Sequence, residues 1–315
     1  MDTLKKITEI ACIGGGVIGA SWASYFAAKG IAVNLQDISN KFLEQAKTEI
    51  DKNLKFFVDI NVLQKSELDT IAGLVHYTTD LREAVENVQL IQESIVEDYG
   101  IKQQLIKEID TYNQTALLCS STSGLLMTKI AEHSEFASRC ITAHPFNPPH
   151  LIPLVELVKG KKTSKETVDL AYDFYKSIGK EPVRINKEIP GHLANRLQVA
   201  LWRETIDLVM NGVCSLEDVD TACQYGPGLR WGIMGPNMIL NLGGGEGGIA
   251  RLIEHLGPAI ESWWADEADW KKFPEGSTEV LVEGCKKAMH GKDIQEMEKV
   301  RDQRLIGLLK ILGKM

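Results

Sequence analysis

Residues 10–19 read Ile-Ala-Cys-Ile-Gly-Gly-Gly-Val-Ile-Gly. An apolar run ends here in glycines spaced G-x-G-x-x-G at Gly14, Gly16 and Gly19. The spacing alone is common, but its surroundings give it meaning. A strand-like run precedes it, a helical pattern over residues 18–29 follows, and a second apolar run closes on Asp37. That order predicts a strand, a tight turn, a helix and a second strand. Gly14 permits the turn, Gly16 lets the backbone approach a pyrophosphate, and Gly19 lets helix and strand pack closely. The N-terminus of that helix, with Val17 and Ile18 beside it, would bring unpaired N–H groups and a partial positive charge to the phosphates. Asp37 would accept hydrogen bonds from ribose hydroxyls and repel a 2′-phosphate. The next residues are Ile38, Ser39 and Asn40, with Lys41 only after them, so NAD is favoured over NADP. FAD uses the same fingerprint but suits a purely helical second domain less well.

Further strand-like runs fall at residues 74–78, 90–94, 116–120, 140–143, 154–158 and 182–185. Amphipathic stretches at residues 41–57 and 100–111 lie between the earlier ones. Strands alternating with helices predict an α/β fold with a doubly wound, mostly parallel sheet of the Rossmann type. The strands are almost continuously apolar, as they are when helices cover both sheet faces. The character changes at Ile189-Pro190-Gly191. Beyond it no strand is convincing, and helical patterns occupy residues 192–211, 215–223, 279–290 and 293–312. Ser215 with Asp218 forms a variant capping box, and residues 243–248 read as a turn before a helix. The domains are therefore 1–188, which binds the dinucleotide, and 189–315, all-α, for substrate and dimerisation.

The chain has 315 residues, 44% hydrophobic and 25% charged, which is a globular enzyme's composition. A net charge of -8 without a basic block argues against nucleic-acid binding. No apolar run approaches the roughly 20 residues of a membrane span. The first residues lack an apolar stretch or cleavage site, so a cytoplasmic protein is expected. None of the six cysteines forms C-x-x-C or a zinc-like cluster. All six are read as small buried hydrophobes, and no metal is expected.

Three further stretches carry chemistry. Residues 119–124 read Cys-Ser-Ser-Thr-Ser-Gly and 144–149 read His-Pro-Phe-Asn-Pro-Pro, each at a strand end. Glu156 sits in the middle of the apolar run Leu-Val-Glu-Leu-Val, where a carboxylate needs a partner. Asn195 follows in Pro-Gly-His-Leu-Ala-Asn-Arg-Leu. Ligands of doubly wound sheets bind at the carboxyl ends of strands, where Ser123 and His144 fall.

Together these motifs resemble the L-3-hydroxyacyl-CoA dehydrogenase family, over nearly the whole chain. The order is the same: Rossmann fingerprint, Ser-rich strand end, His with Glu twelve residues later, then Asn-Arg-Leu on a helix. The resemblance implies that His144 is the general base, taking the hydroxyl proton while the substrate carbon gives hydride to the nicotinamide. Imidazole suits this because its unperturbed pKa is about 6.5. Glu156 would fix the tautomer and stabilise the imidazolium. Ser123 and Asn195 would hydrogen-bond the substrate oxygen. Glu97, Lys102 and Ser121 match positions of cofactor contacts, although Glu97 and Lys102 also read as solvated helix-start charges. A homodimer is implied too; the apolar positions Ile306, Leu308, Leu309 and Leu312 of the last helix fit packing at home or against another subunit.

The chain departs from the CoA-ester enzymes at Thr122-Ser123-Gly124-Leu125, where they usually carry Thr-Ser-Ser-Leu. Leu201-Trp202-Arg203-Glu204, Arg230-Trp231 and the Gly-Gly-Glu-x-Gly run over residues 244–248 look closer to the CoA-independent L-carnitine 3-dehydrogenase branch. The lambda-crystallin or L-gulonate 3-dehydrogenase branch is next. A zwitterion such as L-carnitine would need Arg230 for its carboxylate. Trp231, Phe146 or the tryptophans at 263, 264 and 270 would face its quaternary ammonium. An interface patch is the commoner role for those last three tryptophans, and a structural ion pair competes for Arg230. The leading expectation is NAD-dependent oxidation of L-carnitine to 3-dehydrocarnitine. Alternatives are another 3-hydroxy acid, such as L-gulonate or 3-hydroxybutyrate, or a 3-hydroxyacyl-CoA ester held by Lys52, Lys55 and Lys65. A non-enzymatic protein retaining the NAD site is a further one.

Overall fold

The computed structural model describes residues 7–314. The first six residues, which entered the targeting argument, lie outside the described residues. The chain divides into two compact units, Met1–Asn195 and Arg196–Met315.

The first unit is built on an eight-stranded sheet in the order β3-β2-β1-β4-β5-β6-β7-β8. The strands are β1 (Glu9–Ile13), β2 (Ala32–Gln36), β3 (Val75–Thr78), β4 (Leu90–Glu93), β5 (Leu117–Ser120), β6 (Cys140–Pro145), β7 (Leu154–Lys159) and β8 (Glu181–Ile185). Order reverses between β1 and β4, which makes a crevice at their carboxyl ends. Helices α1 (Val17–Ala28), α2 (Asn40–Asp59), α3 (Tyr99–Tyr112) and α4 (Lys165–Ser177) flank the sheet. Successive side chains of a strand point to opposite faces. Ile10 and Cys12 therefore join one core with Trp22, Phe26 and Tyr175. Ala11 and Ile13 join another with Ile106, Ile109 and Leu118. Trp22 stacks on Phe26 with 5.1 Å between ring centroids.

One pairing departs from the parallel rule: β6 and β7 run antiparallel. Residues 146–153 join them without a helix, and a parallel crossover needs a dozen or more residues. The register sets His144 directly opposite Glu156.

The second unit is helical among the described residues. It holds most of α5 (Ala194–Met210), then α6 (Leu216–Cys223), α7 (Pro236–Gly243), α8 (Gly248–Asp266), α9 (Ser277–Ala288) and α10 (Ile294–Ile311). Ser215 caps α6 by accepting from the Asp218 N–H. Helix α7 escaped the sequence reading because the glycines around it look like loop punctuation, whereas α8 follows the glycine turn read at residues 243–248.

Cys12, Cys119 and Cys140 are buried, but Cys214 and Cys223 are only half-buried and Cys285 is exposed. The expectation of six buried thiols fails in the second unit, where α9 leaves much of its surface uncovered. No described helix is long and apolar enough to cross a membrane.

Candidate active site

The glycine loop leaves β1 at the crevice. Gly14 has φ +95°, and a Cβ there would stand 2.8 Å from the Ser94 carbonyl oxygen. A Cβ on Gly19 would meet the Gly14 oxygen at 1.8 Å, so α1 packs on the loop only without one. Around Gly16 nothing of the protein lies within 4 Å of that position. Gly16 is also the N-cap of α1, with no side-chain cap and no acid in the first turn. Uncapped N–H groups beside open space fit a pyrophosphate. Val17 is 68% exposed there, and Ile18 is partly buried against the core. Asp37 steadies the loop, accepting from Gly15 N at 2.6 Å and Ile38 N at 2.7 Å. Its remaining lone pairs can still receive ribose hydroxyls.

A polar chain runs from this loop to the Ser-rich segment. The Ser94 and Ser121 hydroxyls lie 2.8 Å apart, and Gln92 Nε2 donates to Ser121 Oγ at 2.8 Å. Lys102 is not a solvated helix-start charge. It is 1% exposed, and its ammonium donates to Glu93 Oε1 at 2.6 Å and lies 3.6 Å from Glu97 Oε2. Two carboxylates offset the cost of burying that cation. Glu97 itself is at the surface and gathers the Ser-rich loop. Its Oε1 accepts from Thr122 Oγ1 at 2.5 Å, Ser123 N at 2.9 Å and Gly124 N at 3.2 Å. Partial burial raises its pKa, but Thr122, Lys102 and the two N–H groups outweigh that and hold it below the usual range.

His144 is buried, and its Nδ1 lies 2.7 Å from Glu156 Oε2. A carboxylate accepts, so Nδ1 carries the hydrogen and neutral His144 keeps a free lone pair on Nε2. Glu156, at 0% exposure, also accepts from Leu193 N at 2.9 Å and Ala194 N at 2.8 Å. Desolvation raises its pKa, and the His144 bond and these N–H groups more than reverse that. Asn195 Nδ2 donates to the Ser123 carbonyl at 3.1 Å. The Phe146 ring stands edge-on 5.6 Å from His144. The first unit therefore brings together Glu97, Ser123, His144, Phe146, Glu156 and Asn195.

Arg230 and Trp231 belong to the second unit, in a single helical turn, and both are exposed. Arg230 forms no ion pair among the described residues. Trp270 is engaged inside its unit, donating to Asp207 Oδ1 at 3.0 Å. Trp263 and Trp264 are 59% and 66% exposed.

The sequence reading missed Glu93, although a charged residue ending an apolar strand is the same signal that exposed Glu156. It also passed over His192, which is 1% exposed with its ring 5.3 Å from that of His144.

Residues 9–189 match the NAD binding domain of 3-hydroxyacyl-CoA dehydrogenase, and residues 191–280 match its C-terminal domain. The chain belongs to the 3-hydroxyacyl-CoA dehydrogenase family. As a member of that family it is an NAD-dependent oxidoreductase acting on 3-hydroxy acids. It is 37% identical to L-carnitine dehydrogenase of Bacillus cereus, over 99% of this chain and 94% of that one. It is 35% identical to L-carnitine dehydrogenase of Streptomyces griseus, over 99% and 92%. Among solved structures it resembles 5-formyl-3-hydroxy-2-methylpyridine 4-carboxylic acid 5-dehydrogenase, an NAD+ dependent dismutase. The TM-score is 0.83 at 28% identity, covering 98% of this chain and 99% of that one.

Proposed function

We propose that the protein oxidises the 3-hydroxyl of L-carnitine to 3-dehydrocarnitine. The observation that carries this is the full-length similarity to L-carnitine dehydrogenases of several bacteria, at 33–37% identity. Bound NAD+ supplies the hydride acceptor. Gly14, Gly16, Val17, Ile18, Gly19 and Asp37 would hold it, and Glu97 and Ser121 would shape the wall beside it, with Lys102 buried behind Glu97. His144 Nε2 takes the hydroxyl proton while Glu156 fixes the ring and stabilises the imidazolium. Ser123 and Asn195 orient the substrate oxygen.

Arg230 receives the carboxylate, and its lack of an ion pair among the described residues leaves its guanidinium available for that. Phe146 and Trp231 present rings to the trimethylammonium. The working protein is a homodimer formed through the second unit, supported by exposed apolar residues there such as Leu229, Ile233, Ile253, Trp263 and Trp264.

The test mixes purified protein and NAD+ with L-carnitine, D-carnitine, L-gulonate or 3-hydroxybutyryl-CoA and follows NADH. Turnover should be highest with L-carnitine. Turnover with the CoA ester alone would end this reading.

A further inference from the structure

His192 lies in the turn that feeds α5 and has φ 50°, a left-handed conformation unusual for a residue with a β-carbon. Its side chain is buried, and its Nε2 lies 3.1 Å from the Thr122 carbonyl oxygen. A carbonyl only accepts, so Nε2 carries the hydrogen and Nδ1 is a bare lone pair. That buried Nδ1 has no hydrogen-bond partner among the described residues, which is costly for an acceptor.

The His192 and His144 ring centroids are 5.3 Å apart, with their planes at 54°. That spacing leaves room for one hydrogen bond of about 3 Å between the rings, but Nδ1 has no partner in the present orientation, so making the bond requires a ring to turn. While His144 is neutral no such bond can form. Its Nδ1–H is committed to Glu156, and its Nε2 is then an acceptor like His192 Nδ1. Protonation of His144 turns Nε2 into a donor.

We propose that His192 is a positioning residue whose bare Nδ1 accepts the hydrogen bond offered by Nε2–H of protonated His144. This rests on the reading of His144 as the base. The substrate's hydroxyl proton moves to His144 Nε2. Once the oxidised product leaves, that N–H turns to His192 until solvent removes the proton. His192 itself neither gains nor loses one. The ionisable groups that act on it are His144 on β6, Glu156 on β7 and Glu97 after β4. Burial holds the His192 ring below its ordinary pKa and the His144 charge pushes the same way, against Thr122, Glu156 and Glu97. His192 therefore stays neutral while His144 cycles.

The test is NMR titration of protein labelled with ¹⁵N-histidine, with His144→Gln and His192→Phe assigning the two rings. In the wild type His192 should remain a neutral Nε2–H tautomer while His144 titrates, and its Nδ1 resonance should move in step with His144. His192→Phe keeps a ring of similar size but no acceptor. It should weaken proton binding by His144 about threefold or more. An unchanged His144 titration in that variant would overturn the proposal. So would a wild-type His192 that takes up a proton together with His144. An Nδ1 resonance that is hydrogen-bonded yet indifferent to His144 would replace it with a buried water. The wild-type titration decides even if the variant does not fold. None of these readouts uses a substrate, so failure of L-carnitine to turn over would leave this result standing.

Discussion

Glu156 shows how much one buried residue can demand of its surroundings. Its carboxylate has no water, so His144 and the Leu193 and Ala194 N–H groups must supply every hydrogen bond. The first consequence is catalytic. His144→Ala should lower kcat about 10²-fold or more while leaving NAD affinity, read by fluorescence titration, almost unchanged. A fully active variant would remove His144 from the role of base. The second concerns acid stability. Because its three donors hold the folded carboxyl below the usual range, ionised Glu156 contributes stability above the ordinary carboxylate pKa. That contribution is lost as pH falls through the depressed folded value. Tm should therefore drop for Glu156→Gln at neutral pH, and the gap to wild type should close in acid. A gap that stays constant down to pH 3 would contradict this.

At the scale of elements, the decisive contacts are close approaches that only particular residues allow. Helix α1 begins where Gly19 passes the Gly14 carbonyl. Gly19→Ala should push the helix off the loop, costing about 1–3 kcal/mol of stability and weakening NAD binding in the same preparation. Normal NAD binding by this variant would show that the loop tolerates displacement. The antiparallel turn from β6 to β7 is the other such place. Its connection is anchored from beneath by Lys180, whose buried ammonium donates to the Pro149 and Ile152 carbonyls and lies 3.8 Å from the Tyr25 ring centroid. Ser21 Oγ accepts from the His150 N–H at 2.9 Å and lies 2.8 Å from its Nδ1. These contacts join the segment after His144 to α1. None could be read from the motif, because they depend on which elements the sheet order makes neighbours.

Across the whole molecule, the two units bury apolar residues very unequally. The core residues of the first unit fill both faces of its sheet, whereas the second leaves Trp264 66% exposed and Ile311 82% exposed. Exposed apolar surface of this kind marks an interaction site. Light scattering should give twice the chain mass, and Trp263→Glu with Trp264→Glu should shift it toward the monomer. A wild-type mass equal to one chain would refute the dimer.

The alternation of apolar runs and helical patterns, the glycine spacing and Asp37 were sufficient to establish the Rossmann-type sheet, the helical second unit and NAD. They suffice because each is a local pattern: a strand's face, a helix's period and a tight turn are set by residues close along the chain. The pairing of His144 with Glu156 was suggested by order and spacing, but only the antiparallel register makes them face each other. Lys102 read as a cofactor contact or a solvated helix-start charge until the fold placed Glu93 beside it, and the role proposed for His192 exists only next to His144. Partnership between side chains depends on distant segments meeting, which is a property of the packed sheet.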